Sequence, residues 1–159
     1  ALPETISKNQ RILADNIGVV ATIDDLLTEK DGRTALSYAY GRTNAMLPDW
    51  MKTEQMVDSE ALRNRVVASV QLENVKKLKG TGPITENEQK ILANAASVLN
   101  NPLISVELAE KEMRRVKAMF ATWSRENEAA IARGELDPNF ATTETYEQKK
   151  ARILKAKGE

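Results

Sequence analysis

The spacing of apolar residues predicts helices through most of the chain. Over residues 3–27, apolar positions recur every three or four residues, which places them on one side of a long first helix. Gly18 lies within this run and costs a helix about 1 kcal/mol relative to alanine, so we expect a neighbouring segment to approach closely there. The predicted inner side consists of Ile6, Leu13, Ile17, Val20 and Leu27, widened by Ile12, Val19, Ile23 and Leu26.

The next segments predict a turn, a short helix and a loop. Residues 30–32 form the turn, and residues 34–45 form a short helix with Gly41 inside it or near its end. Residues 46–53 form a loop that contains Trp50 and Met51. Because loops seldom expose such bulky apolar side chains, we expect the loop to plug one end of the bundle. The alternative is an exposed docking patch rich in methionine and aromatic residues.

A second long helix is expected to begin at Asp58 or Ser59 and to stop at Gly80. Gly80 suits the left-handed residue that often ends a helix, and Pro83 prevents the helix from resuming at once. The predicted inner face of this helix consists of Leu62, Val66, Val67, Val70, Val75 and Leu78.

Two further helix starts follow. Thr85 and Glu88 have the spacing of a capping box, so a helix is predicted to begin at Thr85 and to end at residues 100–102. Ser105 caps the next helix, whose apolar residues step alternately by three and four. The favoured interpretation is packing on the core of the same domain, and the alternative is a self-association seam in which Asn127 fixes the register. The seam positions are Val106, Ala109, Met113, Val116, Phe120 and Trp123.

These elements predict an all-α fold, a compact bundle of five or six helices with short connections bounded by glycine and proline. Gly134 and the pair Asp137-Pro138 interrupt the pattern, so residues 1–134 are predicted to form the bundle and residues 135–159 a C-terminal extension. A short helix over residues 144–155 should protrude from the core or dock on a neighbour.

Composition narrows the classes of function. Lysine plus arginine and aspartate plus glutamate number 23 each, so charge does not indicate DNA contact, and no apolar run is long enough to predict a membrane span. Cysteine and histidine are absent, which removes thiol chemistry and imidazole bases. The chain begins at Ala1, so we expect processing or a longer parent product.

The remaining candidate chemistry is weak. The close acidic pairs Asp24 with Asp25, Glu86 with Glu88 and Glu110 with Glu112 could in principle hydrolyse a glycoside, but each fits a helix cap or a solvated face better. No glycine-rich phosphate loop or calcium loop occurs. The sequence therefore predicts no enzyme, no cofactor and no metal site.

Several features succeed one another in a recognisable order. A helix rich in isoleucine, leucine and aspartate covers residues 17–27, and a small-residue and Leu-Pro passage covers residues 41–48. The phrase LKGTGPITENE follows at residues 78–88, before an alanine-rich helix and a final helix. Residues 11–123 thus resemble a helical segment of internal DNA-transfer proteins of tailed bacteriophages. Pro83 stands where that family has a small residue, and the chain after Gly134 matches nothing in it.

The resemblance implies a structural protein of the virion, made in the host cytoplasm, that assembles with itself or with portal or tail proteins during DNA ejection. We expect it to be a homo-oligomer acting by helix packing. The alternatives are a helical adaptor that binds a cellular protein and an enzyme acting on cell wall through Glu86 or Glu88. The predicted contact residues are Trp50, Met51, Met113, Phe120, Trp123 and Asn127.

Overall fold

The computed structural model describes residues 2–80, 82–133 and 154–155. The elements of residues 2–133 are α1 (Leu2–Leu27), β1 (Glu29–Lys30), β2 (Arg33–Thr34), α2 (Leu36–Ala39), α3 (Arg42–Ala45), a 3-10 helix (Asp49–Met51), α4 (Glu54–Ser69), α5 (Leu72–Lys79), α6 (Glu86–Leu99) and α7 (Val106–Ala132).

Helix α1 is the predicted long first helix, and its most extensive neighbour is α7. An ion pair of 2.5 Å between Asp24 and Lys117 joins the two helices at their surface. The buried side of α1 is formed by the residues that the sequence predicted only at the margin of its inner side. Ile17, which was predicted at the centre of that side, is 52% exposed. Two overlapping stripes had similar spacing, and α7 and α4 cover the second one. Its buried members are Ile12, Val19, Ile23 and Leu26.

A small hairpin and two short helices follow α1. Strands β1 and β2 pair antiparallel across the predicted turn, where Asp31 and Gly32 have φ of 54° and 81°. The single helix predicted for residues 34–45 is divided into α2 and α3. Gly41 separates them because its φ of 104° cannot continue a right-handed helix.

Helix α4 begins earlier than expected. Thr53 is its cap, and the Thr53 hydroxyl accepts a hydrogen bond of 3.3 Å from the Met56 amide. The predicted start at Asp58 or Ser59 is wrong, because the cap at Thr53 adds a helical turn before them. The extended residue Gln71 separates α4 from α5, so the second long helix is also divided. Gly80 ends α5 in the left-handed conformation, as predicted.

The helix starts at Thr85 and Ser105 are confirmed. The Thr85 hydroxyl accepts from the Glu88 amide and the Glu88 carboxylate accepts from the Thr85 amide, which completes the capping box of α6. The Ser105 hydroxyl accepts a hydrogen bond of 3.1 Å from the Leu108 amide at the start of α7.

One continuous core joins all the longer helices, so the predicted all-α bundle is confirmed. The described residues form seven α-helices in place of the five or six expected, because two of the predicted helices are divided. The inner face predicted for α4 and α5 is confirmed at its four most buried positions. None of the helices in the described part of the chain is long and apolar enough to cross a membrane. The core residues of α4, the α4–α5 connection and α5 are Val66, Val67, Val70 and Val75.

The C-terminal predictions fall largely outside the described residues. Helix α7 ends at Ala132, and the domain boundary predicted at residue 134 lies just beyond the described stretch. Of the helix predicted for residues 144–155, only Leu154 and Lys155 are described, and both are helical and exposed. The protruding C-terminal helix stays a prediction.

Candidate functional site

The predicted contact residues separate into a buried group and an exposed group. Met113, Phe120 and Trp123 on α7 are at most 1% exposed and form part of the core, with the two aromatic rings 5.1 Å apart. A partner cannot reach these three side chains while the bundle is folded. The expectation that they contact other molecules is therefore wrong, and the core-packing interpretation of the α7 seam is confirmed.

Asn127 is also buried and serves within the chain. Its side-chain Nδ2 donates a hydrogen bond of 2.9 Å to the carbonyl of Lys79, the last residue of α5. The same amide lies directly against Gly80, leaving no room for a β-carbon there. The expectation that Asn127 contacts a partner is wrong. Its side chain instead joins α7 to the end of α5 within the same chain.

The Glu88 cluster, formed by Lys79, Thr85, Glu88 and Trp123, joins three helices at this point. Glu88 Oε1 accepts from Lys79 Nζ at 2.5 Å and from the Thr85 amide at 2.9 Å, and Oε2 accepts from Trp123 Nε1 at 2.6 Å. Lys79 Nζ also donates to the Pro83 carbonyl at 2.7 Å. The residues at the end of α5 and at the start of α6 are thus hydrogen-bonded to each other.

The Glu88 cluster holds its carboxylate in the charged form. Burial by itself would raise the pKa of Glu88, but the hydrogen bonds from Lys79, the Thr85 backbone and Trp123 together lower it to about 2. A group with this pKa is a poor general acid at neutral pH, and both its oxygens already accept hydrogen bonds. The cluster suits structural joining and not proton transfer.

Three of the other acidic residues considered for catalysis have ordinary surface partners, whereas Glu112 is 3% exposed and pairs with Arg115 at 3.4 Å. Glu86 lies 3.5 Å from Lys90 and Glu110 lies 2.7 Å from Arg114, each one turn away on its own helix, and Asp24 pairs with Lys117. No set of three potential metal-ligating acidic side chains comes together among the described residues.

Trp50 and Met51 form the exposed group. Trp50 is 83% exposed, and Met46, Met51 and Val57 are each at least half exposed. We name these four residues the Trp50 patch. The 3-10 helix carries Trp50 and Met51, and α4 carries Val57.

The loop is tied to α4 by Lys52. Lys52 Nζ lies 3.0 Å from Glu60 and 3.5 Å from Asp49, and the Glu60 hydrogen bond raises the pKa of Lys52. Ion pairs on both sides of Lys52 hold the 3-10 helix against the start of α4. The Trp50 patch is therefore presented by an anchored segment.

The expectation that this loop plugs the bundle is wrong, because Tyr40 fills that position. Tyr40 is fully buried, its hydroxyl donates a hydrogen bond of 2.6 Å to the Leu99 carbonyl, and burial raises the pKa of the phenol. The Gly41 amide then donates to the Pro102 carbonyl at 3.0 Å. With the end of α6 already covered, the loop that follows remains on the surface.

A groove between α1, α4 and α5 was not predicted. It has a volume of about 550 Å³, and Gly18 lies on its wall with no atom within 4 Å of the place where a β-carbon would be. The close neighbour expected at Gly18 is therefore absent from the described chain. The sequence feature that marks this groove is the glycine in the middle of α1, which was interpreted as a site of close approach. Its apolar and small lining residues are Ala14, Gly18, Val19, Val66, Ala68 and Leu78.

The Trp50 patch and the groove are two of the surfaces that the described chain offers to a partner. Comparison with protein-family models, curated proteins and solved structures gives no significant match. Function is therefore inferred from the chemistry of these surfaces and from the sequence.

Proposed function

We propose that this chain is a structural protein of a tailed-bacteriophage virion, of the ejection type. It would act by packing its helices against copies of itself or against portal or tail proteins during genome delivery. The observation that carries the proposal is the exposure of Trp50 at 83% on an anchored loop. The phage setting comes from the resemblance of residues 11–123 to DNA-transfer proteins.

The Trp50 patch has the composition of a protein-binding surface. Tryptophan is enriched among the residues that dominate interface energies, and methionine adapts to partners of different shape. Three large apolar side chains close together in sequence, at 46, 50 and 51, are each at least half exposed to water. Covering them on association would recover the free energy that this exposure costs the isolated chain.

A non-enzymatic role is part of the proposal. Glu88, the carboxylate best placed among hydrogen-bond donors, is bonded on both oxygens within the Glu88 cluster. Glu86, its neighbour in the cell-wall hypothesis, is a solvated residue paired with Lys90. We therefore expect the wild-type chain to have no wall-degrading activity, so Glu86→Gln and Glu88→Gln should change nothing in such an assay. Clearing of a cell-wall gel by the wild-type chain would contradict this.

The test of the virion role is mass spectrometry of purified particles of the phage that encodes the chain. We expect a defined copy number per particle and a reduced number for Trp50→Ala. Leu72→Ala is the matched control, because Leu72 is 46% exposed on α5 outside the patch. Absence of the wild-type chain from particles would overturn the proposal.

The second candidate function is a helical adaptor for a cellular protein. The flexible side chains of Met46 and Met51 beside Trp50 favour it, because such surfaces bind varied helical segments. If the chain is an adaptor, it should capture one host protein from a lysate, and the Trp50→Ala variant should not capture that protein. The chain should then be absent from purified particles.

A further inference from the structure

The α1/α4/α5 groove is large enough to receive the projecting side chain of the Trp50 patch. The patch projects one large aromatic side chain, and the groove is a concave surface of about 550 Å³ with small residues on its walls. Its volume lies within the range of roughly 300–1,000 Å³ typical of pockets that bury a ligand. An indole ring with a neighbouring methionine has the size and apolar character to fill it.

The two surfaces are also complementary in charge. Residues 46–58 contain the acids Asp49, Glu54 and Asp58 and the single base Lys52. The groove is lined by Arg65 and Lys77 with one acid, Asp15. Among the described contacts, the side chains of Arg65 and Lys77 form no ion pair, so both cations are available to a partner carrying negative charge.

Gly18 has no role inside the single chain that explains its presence. Glycine is the poorest helix former after proline, and no other part of the described chain approaches this position. A side chain here would enter the groove. Glycine at position 18 therefore keeps the groove open.

The chain cannot fill its own groove with its own Trp50. The 3-10 helix precedes the first turn of α4 and is held there by Lys52, whereas Arg65 and Ser69 line the groove at the other end of α4. Val57 and Arg65 alone are separated by about 12 Å of helix. The indole that enters the groove must come from another molecule.

We propose that the Trp50 patch of one copy inserts into the α1/α4/α5 groove of a second copy. This contact joins two different surfaces, so the first copy retains a free groove and the second copy retains a free patch. Repetition closes into a ring or extends as a filament, according to the rotation between neighbours. The inference rests on the proposed function, because it names the partner and geometry of the self-assembly.

The experiment uses two full-length variants, each lacking one half of the contact. Trp50→Ala removes the projecting side chain and keeps the groove, and Gly18→Leu fills the groove and keeps the patch. Each is measured alone by light scattering and sedimentation from low to high micromolar concentration, and then the two are mixed. Ala68→Leu serves as a second groove-filling variant should Gly18→Leu lose its helical circular dichroism.

We expect wild type to form species larger than a dimer, and each variant alone to associate at least about tenfold more weakly. The mixture should form a one-to-one heterodimer that grows no further, because one good patch and one good groove remain. Leu72→Ala should behave as wild type. Asp58→Lys should weaken association and be rescued by mixing with Lys77→Glu.

Two results overturn the inference, and they bear differently on the proposed function. If wild type associates but the mixture does not, the contact is elsewhere and a self-assembling structural protein remains. If wild type is monomeric at every concentration, the self-contact is absent. The mass spectrometry of particles then decides whether the chain joins a virion through other proteins.

Discussion

At the scale of single residues, Glu88 joins α5, α6 and α7 through donors from each. Its lowered pKa is a consequence of that joining, because every donor favours the charged carboxylate over the neutral acid. Asn127 and Gly80 complete the same junction from the other side. Stability should therefore respond to acid and to single substitutions at this point more than elsewhere on the surface.

Acid should weaken the fold through Glu88. Its pKa falls from 4.5 in the unfolded chain to about 2 in the fold, so its contribution is present above pH 4.5 and is lost as the pH falls towards 2. After allowance for solvent screening, that contribution is about 2 kcal/mol. Urea unfolding from pH 6 to pH 2 measures it.

Glu88→Gln should flatten this loss, while Glu86→Gln, two residues earlier and well exposed, should follow wild type. Parallel curves for wild type and Glu88→Gln would show that Glu88 does not carry the acid sensitivity.

Gly80→Ala should cost about 2–3 kcal/mol of unfolding free energy. Part of the loss comes from a β-carbon at φ 76°, and part from displacing the Asn127 amide from the Lys79 carbonyl. Gly32→Ala is the control, because Gly32 has φ 81° and nothing within 4 Å. Chemical denaturation should give the larger loss at Gly80, and equal losses would mean that the Asn127 contact contributes nothing.

At the scale of helices, the sequence predicted the capping residues and the glycine that ends α5, but it did not predict the breaks within two of the expected helices. Thr85, Ser105 and Gly80 act through hydrogen bonds and backbone angles set by close sequence neighbours, so the sequence alone located them. The break at Gln71 has no glycine or proline to mark it. It is made by packing, since α5 turns to bring Val75 into the core.

The candidate site was predictable only in part. Trp50 and Met51 were identified, but their exposure depends on Tyr40 occupying the end of α6, a contact across 59 residues. Met113, Phe120 and Trp123 have the spacing of either a seam or a core face, and only the position of α1 and α6 decides between them. Surfaces made by distant segments leave little signal in local spacing.

Gly18→Ala should stabilise α1 by about 0.5–1 kcal/mol, because alanine is the better helix former and its methyl group meets open space. Ala14→Gly, one turn earlier on the same groove wall, should destabilise by a similar amount. Thermal unfolding at low protein concentration measures both without interference from association. A loss of stability for Gly18→Ala would reveal a close neighbour at the groove.

At the scale of the whole molecule, the two tryptophans report on different environments. Trp123 is 1% exposed in the core and Trp50 is 83% exposed on the patch. Acrylamide should quench the fluorescence of Trp123→Phe, which retains Trp50, several-fold more strongly than that of Trp50→Phe. Quenching of Trp50 should fall as protein concentration rises and copies associate. Equal quenching of the two variants at low concentration would contradict the exposed position of Trp50.

The packing of α1 on α7 also sets the order of events at the ribosome. The apolar stripe of α1 emerges before α7, and its main cover lies about 100 residues later in the chain. At translation rates of about 5–20 residues per second, that stripe waits some 5–20 seconds before its partner exists. Nascent chains arrested before α7 should therefore be digested by protease and held by chaperones, and the native bundle should form only once synthesis has passed Ala132.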